Sequence, residues 1–175
     1  MKVKDLKVFI VGNPPPSWGG RYFIFVKLTT DTGISGIGEC YCDSFGPNPM
    51  TAIIEVTFGR YVEGMDPFQL ESLWRKVYSS GFSQRPDISL MGVLSGIEIA
   101  LWDIIGKALN KPVYELLGGK VHEKLRSYTY IYPDPAKGQD GSIFWNAEQS
   151  AERAAEYVSQ GFTAVKFDPA APYSA

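Results

Sequence analysis

Histidine and cysteine are scarce in this chain. Its 175 residues contain two cysteines and one histidine. Cys40 and Cys42 stand two apart, which on a strand places them on one face. A structural metal site needs more ligands than this pair and His122, which lies far along the chain in the polar stretch "GGKVHEKLR". The expectation is two reduced thiols in a half-buried strand and a surface histidine. Charge of one sign is also missing. Lys and Arg number 17 against 19 Asp and Glu, a net charge of -2, with no basic run to suit nucleic acid or a membrane surface. No apolar stretch approaches the roughly 18 to 20 residues of a membrane span. The first residues, "MKVKDLKVFIVG", are charged and alternating, so they read as a strand and not as a signal peptide, and the expected location is cytoplasmic. What is present is a 45% apolar share with 14% aromatics, enough to bury a core in one domain or one and a half.

The first third reads as β. "VKDLKVFIV" (Val3 to Val11) is partly alternating. "NPPPSWGG" (Asn13 to Gly20) must be a loop, because Pro and Gly break both regular structures. "RYFIFVKLTT", the turn "DTG" and "ISGIGECYC" then form a hairpin. "DSFGPNPM" (Asp43 to Met50) reads as a second irregular loop. Four helical segments follow. "TAIIEVTFGRYVEG" has apolar residues near helical spacing. "DPFQLESLWRKVYSS" has Asp66 as N-cap, Pro67 at N1 and Gln69 at N3, with a stripe of Phe68, Leu70, Leu73, Trp74 and Val77. "ISLMGVLSGIEIALWDIIGKALN" is apolar nearly all round, so it is expected to be the central buried helix. Its small residues Gly92, Ser95, Gly96 and Ala100 would admit another element closely. "PVYELLGG" is a short helix opened by Pro112 and closed by Gly118.

The character changes after Gly119. A strand is expected over roughly Leu125 to Tyr132, then the polar insert "DPAKGQDGSIFW". A helix follows with Asn146 as N-cap, Gln149 at N3 and Gly161 at its end, and then a strand from Thr163 to Phe167. Strand, helix, strand is one βαβ unit and implies a parallel pair. Such a pair wants neighbours on both edges and helices on both faces. The expected division is therefore an α+β domain over residues 1–120, a three-stranded antiparallel sheet plus helices, followed over 121–175 by the first βαβ unit of an α/β domain that this sequence leaves unfinished.

"SGIEIALWDIIGKALNKPVYELLGG", Ser95 to Gly119, closely resembles the end of the N-terminal capping domain in the mandelate racemase/muconate lactonizing branch of the enolase superfamily. The matching pattern runs from Ser95-Gly96 through Ile97-Glu98, Ala100-Leu101-Trp102-Asp103 and Gly106-Lys107 to Pro112 and Leu116-Leu117-Gly118. Val93 departs from the Ala often found there. "GIGE" (Gly36 to Glu39), "GMDPFQLESLWRKVY" and "LLGGKVHEKLRSY" match in the same order, so the resemblance covers essentially the whole chain. It implies a cap over the C-terminal face of a modified (β/α) barrel of the TIM type, here truncated. "SYTYIYP" and "TAVKFDP" would be the first two strands of about eight. Two cap loops would close on substrate: "NPPPSWGG" with its flanks, carrying Trp18 and Tyr22, and "DSFGPNPM", carrying Phe45.

The same resemblance implies chemistry. The family's shared step removes the proton α to a substrate carboxylate, and a divalent metal, usually Mg2+, stabilises the resulting enediolate. Its ligands come from three later strands, so no metal ligand is expected in this chain. The second strand places a base or an electrostatic helper, often as Lys-x-Lys. This chain has Lys166-Phe167-Asp168. Positions i and i+2 of a strand share a face, so Lys166 and Asp168 could both aim into the barrel mouth. Asp168 stands where racemases and cycloisomerases often carry the proton-abstracting lysine. The expectation is therefore an acid-sugar dehydratase, a lyase in which Lys166 holds or neutralises the substrate carboxylate and Asp168 bonds a hydroxyl or orients the lysine. A Lys-x-Asp at a strand's end is also an ordinary solvated ion pair. Packing of the cap is the plain alternative for Trp18, Tyr22 and Phe45. Trp102, Asp103, Glu39 and Glu98 read as structural, the two glutamates as ties between cap and barrel. The partner implied is a small carboxylate, an acid sugar, and the complete enzyme would be a homo-oligomer. The chain by itself is expected to be inactive. A racemase, epimerase or cycloisomerase is the alternative within the superfamily. Outside it, the chain would be a non-catalytic α+β binding module.

Overall fold

The computed structural model describes residues 1–15, 17, 19–41 and 46–168. It contains two compact units, Met1–Lys120 and Val121–Ala175. The first unit is built on a three-stranded antiparallel sheet, β1 (Val3–Gly12), β2 (Tyr22–Thr30) and β3 (Ser35–Cys40), in sequential order. Alternation along β2 buries Ile24, Val26, Leu28 and Thr30 and leaves Phe23, Phe25 and Lys27 half-exposed on the other face. The register pairs Leu28 with Leu6 and Gly36, and Val26 with Val8 and Gly38, so one face is apolar across all three strands. Each fully buried Ile, Val or Leu on it contributes about 1.5–3 kcal/mol of transfer free energy.

Helices α1 (Pro47–Thr57), α2 (Leu70–Ser80), α3 (Ile88–Leu109) and α4 (Val113–Leu116) complete the unit. The sequence assigns Asp43 to Met50 to a loop, but α1 already begins at Pro47. Gly46 takes φ +85 ahead of it, and a proline at the first helical position loses no intrahelical bond. α1 ends in a wider π turn over Phe58–Val62, so the expected single helix changes pitch there. Asp66 does not cap α2. Its carboxylate accepts the Phe68 N–H at 3.1 Å, closing a separate turn before the helix starts at Leu70. Of the expected stripe, Leu73 and Val77 are buried, whereas Phe68 and Trp74 stay partly exposed.

α3 is the central helix. Asp87 caps its start by accepting the Leu90 N–H at 2.9 Å, and Asn110 closes its end at φ +51, a conformation that asparagine tolerates. By length and composition α3 could cross a membrane, with 22 residues and a mean hydropathy of 1.8 over its most apolar window, contrary to the reading of the sequence. Here that apolarity is used inside the unit, where Val93, Leu94, Ile97, Ala100, Leu101 and Ile104 are all buried. β3 lies directly on the helix backbone. A Cβ at Gly38 would stand 1.9 Å from the Gly96 carbonyl oxygen, and one at Gly36 would stand 2.1 Å from that of Ala100. Ser95, expected to share this contact, points outward. Cys40 is buried at the same seam with its thiol 3.9 Å from the Val93 carbonyl oxygen.

Burial pushes the Cys40 thiol up to about 12, with the Glu39 charge adding to the shift. Cys42 lies outside the described residues, so the matching test removes it. In a Cys42→Ser chain, a disulfide-exchange reagent at about pH 8 should label no thiol natively and one after unfolding in guanidinium. Rapid native labelling would show that the seam opens. Because the folded state keeps a proton that the unfolded chain loses above the ordinary thiol value, Cys40 contributes a loss of stability as pH rises from about 9 towards 12.

The second unit holds β4 (Thr129–Tyr130), α5 (Ala147–Ser159) and β5 (Val165–Lys166), with two short 3-10 turns at Pro135–Lys137 and Gly141–Trp145. β4 and β5 are parallel, as the βαβ pattern requires. Both are shorter than expected: the ladder pairs Thr129 with Val165 and Tyr130 with Lys166, and at its ends the Thr129 N–H bonds the Ala164 carbonyl and the Ile131 N–H that of Lys166. On the approach to β4, Arg126 bonds the Thr163 hydroxyl and carbonyl instead of extending the ladder. The Asn146 side chain accepts the Gln149 N–H at 3.1 Å, the cap expected from the sequence, and Gly161 takes φ +100 just past the end of α5.

Candidate functional site

The two faces of the β4–β5 pair differ. Ile131 and Phe167 lie with Phe144, Ala147, Ala151 and Ala154 along one groove, so this face belongs to α5. Tyr130 is the register partner of Lys166, and strand alternation puts both on the opposite face. The Lys166 Nζ stands 5.0 Å from the centre of the Tyr130 ring and 5.6 Å from that of Tyr128. Tyr132 continues the row, its ring 5.6 Å from that of Tyr130. The tip of Lys166 is solvent-exposed. A hydrogen bond with Tyr130, followed by charge interaction with Tyr128 and Tyr130, holds its ammonium above the ordinary lysine range. A charged ammonium suits electrostatic holding of an anion, and a raised pKa disfavours a neutral lysine acting as base. Asp168 is half-buried and lies two residues beyond Lys166, just past the end of β5.

The backbone after β4 is tied to α5 by Arg153. Its Nε donates to the Tyr132 carbonyl at 2.7 Å, its Nη2 reaches the Tyr157 hydroxyl at 3.1 Å, and Asp134 lies 3.9 Å from Nη1. Glu156 accepts from Lys137 and Arg153, which hold its carboxyl below the usual range. The network fixes the C-terminal end of β4 and thereby the tyrosine row. Neither Arg153 nor the tyrosines were singled out from sequence. The available signal was the i, i+2, i+4 spacing of Tyr128, Tyr130 and Tyr132.

The other expected residues lie elsewhere. Tyr22 opens β2 in the first unit, 43% exposed and paired with Gly12. The loop before it is closed at its base by Asn13, whose N–H bonds the Arg21 carbonyl at 2.9 Å and whose side-chain amide bonds that of Gly20 at 2.8 Å. Trp18 and Phe45 lie outside the described residues. Asp103 is structural: its Oδ2 accepts the Ile37 N–H at 3.0 Å and the Lys107 ammonium at 2.8 Å. Glu98 accepts the Trp74 indole N–H at 3.2 Å, joining α3 to α2. Trp102 lies with Phe68, Trp74 and Leu116 along an apolar groove of about 440 Å3. Glu39 is exposed on the outer face of β3. Among the described residues, no three His, Cys, Asp or Glu side chains form a metal-holding group.

Residues 16–118 match the family model of the mandelate racemase/muconate lactonizing enzyme N-terminal domain. The chain belongs to the mandelate racemase/muconate lactonizing enzyme family. A solved structure from this family, from Sulfitobacter sp., is 53% identical and superposes with a TM-score of 0.91, covering 99% of this chain and 44% of that one. The D-galactonate dehydratase of Xanthomonas oryzae pv. oryzae (strain PXO99A) is 34% identical over 168 residues, 96% of this chain and 38% of the relative. The 3,6-anhydro-D-galactonate cycloisomerase from Zobellia galactanivorans is 29% identical with a TM-score of 0.72, covering 94% of this chain and 42% of that one. The chain thus spans about two fifths of the length of these relatives. In family members of that length it corresponds to the N-terminal domain and the segment that follows it.

Proposed function

We propose that this chain supplies the capping domain and the first βαβ unit of the barrel in an enzyme that abstracts the proton α to a carboxylate and dehydrates an acid sugar. The observation that carries the reading is the exposed, charged Lys166, two residues from an aspartate. A fixed ammonium binds a carboxylate and draws off the negative charge that builds up as the α-proton leaves. Asp168, an acceptor two residues further on, suits a sugar hydroxyl. The dehydratase relatives support a lyase over a free-standing binding module. A Mg2+ requirement and a homo-oligomeric state belong to the proposal on family grounds alone.

The cycloisomerase similarity favours a second reading, in which proton abstraction ends in isomerisation. The full-length enzyme, incubated with a panel of acid sugars in D2O, separates the two. A dehydratase yields a 2-keto-3-deoxy product with loss of water. Deuterium at the α-carbon without loss of water would place the enzyme with racemases, epimerases and cycloisomerases. Absence of both exchange and product across the panel would sink the acid-sugar reading.

A further inference from the structure

The Lys166 ammonium is not left to its own rotamers. A lysine side chain on a strand end ordinarily samples many conformations, and an electrostatic helper loses effect when its charge is not fixed in advance. Here two tyrosines of the neighbouring strand surround it. Tyr130 sits directly across the parallel pair from Lys166, with its ring centre 5.0 Å from the ammonium. The ring of Tyr128, one alternation earlier, stands 5.6 Å from Nζ. Aromatic faces attract a cation at these distances, and a phenol hydroxyl can accept from an ammonium that leans towards it. Tyr130 is in turn packed on Tyr132, whose carbonyl is held by Arg153 of α5. A chain of contacts therefore runs from the helix behind the sheet to the charge in front of it.

We infer that Tyr130, assisted by Tyr128, is the positioning residue that fixes the Lys166 ammonium to receive a substrate carboxylate. The part concerning substrate rests on the functional reading above. The part concerning the ammonium does not. Tyr130→Phe keeps the ring and removes the hydroxyl, and Tyr130→Leu removes both.

The direct test is a carbon-13 titration of the Lys166 ε-methylene in this chain, assigned with a Lys166→Arg control. Tyr130→Phe should lower the midpoint, and Tyr130→Leu should lower it further. A purely structural tyrosine would change the melting temperature and leave that midpoint in place, so the melting curve is recorded alongside. In the full-length enzyme, Tyr130→Phe should raise KM for the acid sugar about tenfold with kcat within threefold, the pattern of lost substrate binding. An unchanged midpoint in both variants overturns the inference, whatever the kinetics show. A lowered midpoint in an enzyme that turns over no acid sugar would leave the tyrosine's hold on Lys166 standing and refute the substrate reading alone.

Discussion

Replacing Gly38 with alanine should lower the stability of the first unit by about 3 kcal/mol, a drop of about 12 °C in melting temperature. The added methyl would meet the Gly96 carbonyl oxygen at 1.9 Å, and the nearest other atoms are also α3 backbone, the Ala100 nitrogen at 2.9 Å among them. No flexible side chain can swing aside. Either the strand lifts from the helix or the helix moves, and both expose the face that buries Val26 and Leu28. Gly59→Ala is the matching control, since nothing lies within 4 Å of a Cβ there. It should be neutral or slightly stabilising. Urea and thermal unfolding followed by circular dichroism measure both variants. A Gly38→Ala chain melting within 2 °C or so of the parent would mean that the seam is looser than drawn.

Lys166→Met should reduce kcat/KM of the full-length enzyme about 100-fold, the effect of losing a charged hydrogen bond of about 3 kcal/mol. Its stability should stay within about 0.5 kcal/mol of the parent, because the ammonium lies in solvent. Lys166→Arg keeps the charge but not the geometry and should recover part of the loss. Activity within threefold of the parent for Lys166→Met would remove this residue from the site.

Much of the scaffold is legible in the sequence, because it is written in local chemistry. Alternation marks β2, Gly33 marks the hairpin, and Asn146 with Gln149 marks the start of α5. Where local signals compete, the reading slips. Pro47 looks like part of a loop, yet it opens α1. Asp66 looks like a helix cap, yet it closes a turn just before one. The glycines of "SGIGEC" show no apolar alternation, and their purpose appears only when α3 lies against them. The site divides in the same way. Lys166 and Asp168 can be picked out by type and spacing. The spacing of Tyr128, Tyr130 and Tyr132 marks a shared face but not its neighbour: what brings Tyr130 to Lys166 is the register of a parallel pair joined through a helix, and no short-range pattern encodes that register.

The outer edge of β3 carries a consequence of its own. Ile37 turns its N–H away from β2 to the Asp103 carboxylate, and the Ser35 carbonyl is taken by the Lys107 ammonium at 2.8 Å. An open strand edge is a template on which a foreign strand can grow. Here a donor and an acceptor of that edge are occupied by two side chains one helical turn apart, themselves joined as an ion pair. On the far side of the sheet, β1 has lysines at positions 4 and 7, a different protection. The Asp and Lys of "ALWDIIGK" therefore guard against intermolecular strand pairing, and the four-residue spacing between them bears on solubility as much as on fold.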